Sequence, residues 1–112
     1  MIRIIGGKYK GRKLKVCLGN DVRPTSDKVR EAMFNILTPL LNWDNMIVLE
    51  LYAGSGALGL EALSRGAKKA IFVEASSKHM TILKQNIELF SYFEFQNFPH
   101  LEIPSVKLLH NL

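Results

Sequence analysis

A glycine-rich turn set between two apolar runs constrains this chain more than any other feature. Residues 46–53 read Met-Ile-Val-Leu-Glu-Leu-Tyr-Ala and are nearly all apolar. That suits a strand covered on both faces, as in a parallel sheet. Gly54-Ser55-Gly56 follows, and Gly59 completes a G-x-G-x-x-G pattern. The spacing predicts a helix from about Ala57 to Arg65, with Gly66 as its C-terminal cap. Ala70-Ile71-Phe72-Val73-Glu74 reads as a second buried strand. Strand, helix and strand in this order make a βαβ unit with a right-handed crossover.

Each residue of the turn has a chemical reason. The first glycine permits a tight turn out of the strand. The second lets a ligand approach the backbone, and the third lets helix and strand pack closely. The N–H groups that open the helix point into the same crevice. Glu74 stands 20 residues after Gly54, where a carboxylate can accept both hydroxyls of a ribose. This pattern serves a dinucleotide and S-adenosylmethionine alike. Glu50 favours the second, because a carboxylate inside an apolar strand is costly unless paired. An ammonium and a sulfonium pair it, whereas a pyrophosphate is repelled. The competing structural reading is that Glu50 caps a neighbouring backbone N–H and the glycines merely turn the chain.

Around this core the sequence is less regular. Residues 1–22 read as a basic β-hairpin and loop, with Ile2 and Ile4 alternating with Arg3, and Leu14 and Val16 with Lys13 and Lys15. Residues 23–45 form a linker helix, begun at Thr25, Ser26 or Asp27 and stopped by Pro39. Val29, Met33, Ile36, Leu37 and Leu40 give it an apolar stripe. Residues 46–90 hold the βαβ core and a further helix, with Met80, Leu83, Ile87 and Phe90 on one face. Residues 91–112 are a divergent tail, rich in aromatics and broken by Pro99 and Pro104. Val106 to Leu109 suit one short strand or helical turn.

Charge divides the chain. The first 30 residues carry nine Lys or Arg against two Asp, while the whole chain has a net charge of +5. The remainder is therefore mildly acidic. Five bases, Lys8, Lys10, Arg12, Lys13 and Lys15, fall within eight residues. Such a cluster suits a polyphosphate, since each neutralised phosphate releases counterions. The bland alternative is a solvated strand edge guarded by lysines. A single cysteine, Cys17, excludes an internal disulfide and fits a reducing compartment. The histidines His79, His100 and His110 have no cysteine at metal-site spacing, so no metal is expected. No apolar run reaches membrane-span length and no secretory signal opens the chain, so a cytoplasmic protein is expected.

Three blocks carry a family resemblance. They are Arg3-Ile4-Ile5-Gly6-Gly7-Lys8-Tyr9-Lys10-Gly11-Arg12, then Arg23-Pro24-Thr25-Ser26-Asp27-Lys28-Val29-Arg30-Glu31-Ala32-Met33-Phe34-Asn35-Ile36-Leu37, and then the run from Leu49 to Ala67. Together they resemble the bacterial 16S ribosomal RNA guanine-N2 methyltransferase family, over residues 1 to about 90. The resemblance implies an α/β fold of the class I, Rossmann-like, S-adenosylmethionine-dependent kind, incomplete here, with an N-terminal basic β-hairpin. It implies methylation of a guanine N2 in small-subunit ribosomal RNA, with that RNA or the small ribosomal subunit as partner. By position, Glu50, Gly54, Ser55 and Gly56 hold the methionine end of S-adenosylmethionine and Glu74 holds its ribose. Arg23 and Thr25 border the pocket, and Lys8, Lys10, Arg12, Lys13 and Lys15 meet RNA backbone.

One departure from the family is sharp. Its members carry an Asp/Asn-Pro-Pro-Tyr/Phe motif that accepts hydrogen bonds from the target amine and stacks on the base. This chain has prolines only at 24, 39, 99 and 104, so no Pro-Pro occurs. Asn97-Phe98-Pro99-His100 imitates the motif poorly, and no catalytic residue is assigned. The expectation is a truncated form holding the cofactor half, with a sheet edge left unpaired beyond the strand ending at Glu74. The tail's aromatics are expected to patch such an edge. Two other classes stay open: a non-catalytic RNA-binding remnant and a dinucleotide-binding module.

Overall fold

The computed structural model describes residues 2–16, 25–97 and 105–110. Strand β1 (Ile2–Arg3) pairs antiparallel with β2 (Lys13–Leu14), with Ile2 opposite Leu14. The turn between them holds a 3-10 segment, Gly7–Tyr9. Helix α1 spans Asp27–Leu37, and its N-cap Ser26 accepts a hydrogen bond from the Val29 N–H. Pro39 falls in the 3-10 turn Thr38–Leu40 that ends it. Then come β3 (Ile47–Leu51), α2 (Ala57–Ser64), β4 (Lys69–Val73), α3 (Ser77–Asn97) and β5 (Ser105–Leu109).

The three later strands make one parallel sheet in the order β3-β4-β5. This corrects the expectation of an open edge beyond Glu74. Val73 pairs with Leu109 there, and the Glu74 N–H donates to the Leu109 carbonyl. Of the two readings open for Val106 to Leu109, strand or helical turn, the strand is the one that forms, and the alternation of Val106 and Leu108 with Lys107 is too short to have decided it alone. Among the described aromatics of the tail, Phe93 is likewise not an edge patch. Helix α3 runs to Asn97, and Phe93 is buried against Tyr9 of the hairpin, their ring centroids 5.9 Å apart.

The hairpin shares its core with the sheet domain. Ile2, Ile4, Tyr9 and Leu14 are buried in one cluster with Leu60, Leu63, Phe72, Leu83 and Phe90. The glue is polar as well as apolar. Glu61 of α2 is fully buried and accepts from the Ile5 N–H (2.7 Å), the Gly6 N–H (2.8 Å) and Arg65 Nε (3.0 Å). Ser64 Oγ accepts from the Tyr9 N–H and donates to the Gly6 carbonyl. Gly7 is left-handed, and a Cβ there would lie 2.1 Å from the Ser64 carbonyl oxygen. Only glycine permits that approach.

Two expectations about packing fail together. The stripe on α1 does not face the core: Val29, Met33, Ile36 and Leu40 are exposed, while Arg30 and Phe34 turn inward. Arg30 is completely buried, paired with Asp27 and donating to the Arg3 carbonyl at 2.9 Å. Nor is β3 covered on both faces. Ile47, Leu49 and Leu51 are 58%, 54% and 47% exposed. They line an apolar groove of about 380 Å³ together with Met33, Leu37 and Met46. Among the described residues, no strand pairs with the outer edge of β3.

Candidate functional site

Leu51 and Val73 lie in register, so the loops that leave β3 and β4 emerge side by side at the carboxyl ends of parallel strands. That is where open α/β sheets bind ligands. The first loop is strained in the sense that ligand sites often are. Tyr52 is a non-glycine residue at φ 54°, followed by Gly54 at 57° and Gly56 at 80°. Its turn is closed by hydrogen bonds from the Ala53 N–H to the Val73 carbonyl and from the Gly56 N–H to the Ala53 carbonyl.

Both predicted acids stand at this loop. Glu50 accepts from the Gly59 N–H at 2.8 Å. It is thus the cap of α2, whose N-cap residue Gly56 has no side chain to offer. The capping role weighed as the structural alternative is therefore present. Burial nonetheless pushes the Glu50 carboxyl up to about 7, against the lowering effect of the Gly59 and Leu58 N–H groups; the Glu74 charge adds to the rise. Glu50 is only half-buried by its surface, and a carboxyl poised near neutrality beside an open turn marks a candidate site. Glu74 is buried at the end of β4. Its Oε1 accepts from the Gly54 N–H (2.7 Å) and its Oε2 from the Ser76 N–H (2.9 Å), while His79 Nδ1 lies 4.0 Å away.

The glycines divide their labour differently from expectation. A Cβ on Gly54 would meet almost nothing, with its nearest atom at 4.0 Å, so this is the position open to a ligand. A Cβ on Gly56 would lie 2.6 Å from a Leu83 methyl and 3.4 Å from the Phe72 ring. The second glycine is thus required by its left-handed φ and by packing against α3, whatever a ligand adds. Gly59 packs as expected, since its Cβ would strike the Phe72 ring at 2.3 Å.

The remaining candidates are scattered. Arg23 lies outside the described residues. Thr25 is exposed ahead of α1, and among the described residues no hydrogen bond joins it to the glycine loop. Lys8, Lys10, Arg12, Lys13 and Lys15 are all exposed on the hairpin. The Arg12 guanidinium sits 4.8 Å over the Phe93 ring, which holds one base of the arm against α3. Asn97 is the last residue of α3, and Phe98, Pro99 and His100 lie outside the described residues. No group of three or more potential metal ligands occurs among the described residues. No described helix is long and apolar enough to cross a membrane.

Sequence reasoning missed three buried polar side chains: Arg30 and Glu61, which anchor the hairpin, and Asn86, which reaches the glycine loop. Asn86 was findable, because it falls between Leu83 and Phe90 on the apolar face of α3. A polar residue there needs partners, and its partners include the Ser55 carbonyl of the glycine loop at 2.8 Å.

Comparison with known proteins bears on this geometry. The family model described as Conserved hypothetical protein 95 matches residues 2–107. The match therefore runs past residue 90, where the sequence had seemed to depart, and through most of β5. Ribosomal RNA small subunit methyltransferase D of Haemophilus influenzae is 45% identical over 87 residues, covering 78% of this chain and 44% of that protein. The Escherichia coli protein of the same name is 53% identical over 73 residues, covering 65% of this chain and 36% of its own length. The solved structure of yhhF from Escherichia coli, classed with the methyltransferases, superimposes with a TM-score of 0.69 at 36% identity. It covers 98% of this chain and 52% of that one. The chain thus spans less than half the length of these curated relatives.

Proposed function

The chain belongs to the Conserved hypothetical protein 95 family, that of the small-subunit ribosomal RNA methyltransferases D, and from this we propose that it is the cofactor- and RNA-binding portion of an S-adenosylmethionine-dependent guanine-N2 methyltransferase. Its fold is the class I, Rossmann-like fold, here three parallel strands with two crossover helices. The observation that carries the reading is the pair Glu50 and Glu74, the first half-buried and the second buried, at the ends of adjacent strands on either side of a left-handed glycine turn. S-adenosylmethionine supplies an electrophilic methyl on a sulfonium centre and brings two positive charges. Glu50 holds the ammonium, Gly54 leaves room for the ligand, and Glu74 accepts from the ribose with the lone pairs its backbone bonds leave free. A pyrophosphate in the same place meets the Glu50 carboxylate, which argues against a dinucleotide.

The basic hairpin is the RNA-facing surface, and its bases are exposed beside the crevice-bearing domain. For the chemistry, an acceptor must orient the guanine amine and a platform must hold the base. This 112-residue chain has no Pro-Pro motif to provide them. The proposal is therefore that the chain binds cofactor and RNA and, alone, does not transfer the methyl group. Thermal-shift titration tests the cofactor half. S-adenosylhomocysteine should raise the melting temperature and NAD should not; stabilisation by NAD alone would reverse the assignment.

A further inference from the structure

Asn86 is completely buried in the middle of α3, and every bond it makes reaches another functional segment. Its Oδ1 accepts from the Lys15 N–H at 2.8 Å, and its Nδ2 donates to the Lys15 carbonyl at 2.8 Å. One side-chain amide thus pairs with both backbone groups of Lys15, as a neighbouring strand would. The same Nδ2 donates its second proton to the Ser55 carbonyl at 2.8 Å. Both donors of the amide and its acceptor are engaged. The peptide that joins Ser55 to Gly56 is held at both ends, since its N–H donates to the Ala53 carbonyl. One turn earlier on α3, a Leu83 methyl occupies the space where Gly56 would carry a Cβ. The helix therefore fixes the glycine loop at two adjacent residues and the end of the basic arm at a third.

We infer that Asn86 is a positioning residue that couples the basic arm to the glycine loop, so that RNA on the arm strengthens cofactor binding in the crevice. The inference rests on the proposed function for the two surfaces and adds the link between them. Phosphate contacts at Lys13 and Lys15 immobilise the strand that Asn86 grips. An immobilised Asn86 holds the Ser55 carbonyl, and with it the orientation of the next peptide in the turn. A loop already fixed in its binding conformation loses less freedom when ligand arrives. Linkage makes the effect reciprocal, so that cofactor must strengthen RNA binding by the same factor.

The test is calorimetric titration of the full chain with S-adenosylhomocysteine, with and without a short guanine-containing single-stranded RNA, and the reverse titration. In the wild type each ligand should tighten the other by about fivefold or more, the usual lower range of such coupling. Asn86→Ser is neutral and too short to reach both segments, and it should bring that factor to within about twofold of unity. A purely structural role would weaken both affinities and leave their ratio in place. An unchanged ratio in Asn86→Ser, or a wild-type ratio of one with both ligands bound, overturns the coupling alone. Failure of the wild type to bind either ligand removes the parent assignment, and the coupling with it. If the variant does not fold, hydrogen exchange on the wild type decides. S-adenosylhomocysteine should slow exchange of the Lys15 amide, and an unchanged rate there overturns the inference.

Discussion

At the scale of single residues, Glu50 is both a helix cap and a half-buried acid held near neutrality. Its pKa rises from 4.5 to about 7 on folding, so the folded chain holds a proton that the unfolded chain has already released. Stability should therefore be greatest below about pH 4.5 as far as this group is concerned, and fall as pH rises toward 7. Glu50→Gln should flatten that part of the pH profile, removing a slope worth on the order of 3 kcal/mol in all. Urea midpoints of the two proteins at pH 5 and 7 measure it. Binding of a cationic cofactor should run the other way. It should strengthen by about tenfold from pH 6 to 8 as the carboxyl ionises, and this dependence should vanish in Glu50→Gln. The glycines give a second contrast. Gly56→Val drives a side chain into Leu83 and should lower the melting temperature sharply, by overpacking that costs about 1–3 kcal/mol plus backbone strain. Gly54→Ala meets open space and should keep the fold, at about 1–2 kcal/mol of left-handed strain, while weakening the ligand. Equal melting temperatures for the two variants would undo this division of roles.

At the scale of elements, the hairpin is positioned by backbone bonds to side chains of α2 and α3. Glu61→Ala should leave the Ile5 and Gly6 N–H groups and Arg65 Nε without their acceptor while Arg30 keeps Asp27, a loss of about 1–3 kcal/mol per orphaned buried group by denaturant titration. The arm's function is separable from its anchoring. Alanine at Lys8, Lys10, Arg12, Lys13 and Lys15 should flatten the salt dependence of RNA binding by ~0.7–0.9 in log–log slope per lost phosphate contact. An unchanged slope would leave the arm a solvated hairpin. The βαβ unit, the turn and both acids were legible in the sequence because they obey local rules of period, spacing and glycine chemistry. The orientation of α1 was not. Its inward residues are Phe34 and an arginine, Arg30, that besides nearby Asp27 takes Arg3 and Glu61, far away in sequence, as partners, so the apolar stripe pointed to the wrong face. The β5 segment was legible only as a strand or a helical turn, because five residues after a proline carry little periodic signal, and β4 decides between them by offering an edge. Asn86 was visible as an oddity, but its partners are a strand end and a loop that only the fold brings near.

At the scale of the whole molecule, the described residues leave one apolar face and sheet edge uncovered. An open strand edge beside exposed Ile47, Leu49, Leu51, Met33 and Ile36 is a surface that single soluble domains seldom leave bare. The purified chain should associate as its concentration rises, and Leu49→Lys should shift it toward monomer in sedimentation equilibrium. Loss of that difference would show the face to be inert. The same chain should give no methyl incorporation from tritiated S-adenosylmethionine into immature small-subunit particles. Orientation of the reacting groups alone can supply ~7–11 kcal/mol of barrier lowering, and the motif that would orient them is absent from the sequence. Clear incorporation at a guanine N2 would mean that other residues of the chain perform that task.

The long bridges from the hairpin also set a timetable. Ile5, Gly6 and Tyr9 find their partners 55 or 56 positions later, and Lys15 finds Asn86 only 71 positions later. The hairpin is made well before its partners and is therefore among the last segments to acquire a structure. At a synthesis rate of roughly 5–20 residues per second, the basic arm waits several seconds for α3 to be made. Proteolysis of stalled nascent chains should find the arm cleavable until residue 86 has cleared the exit tunnel, and protected soon afterwards.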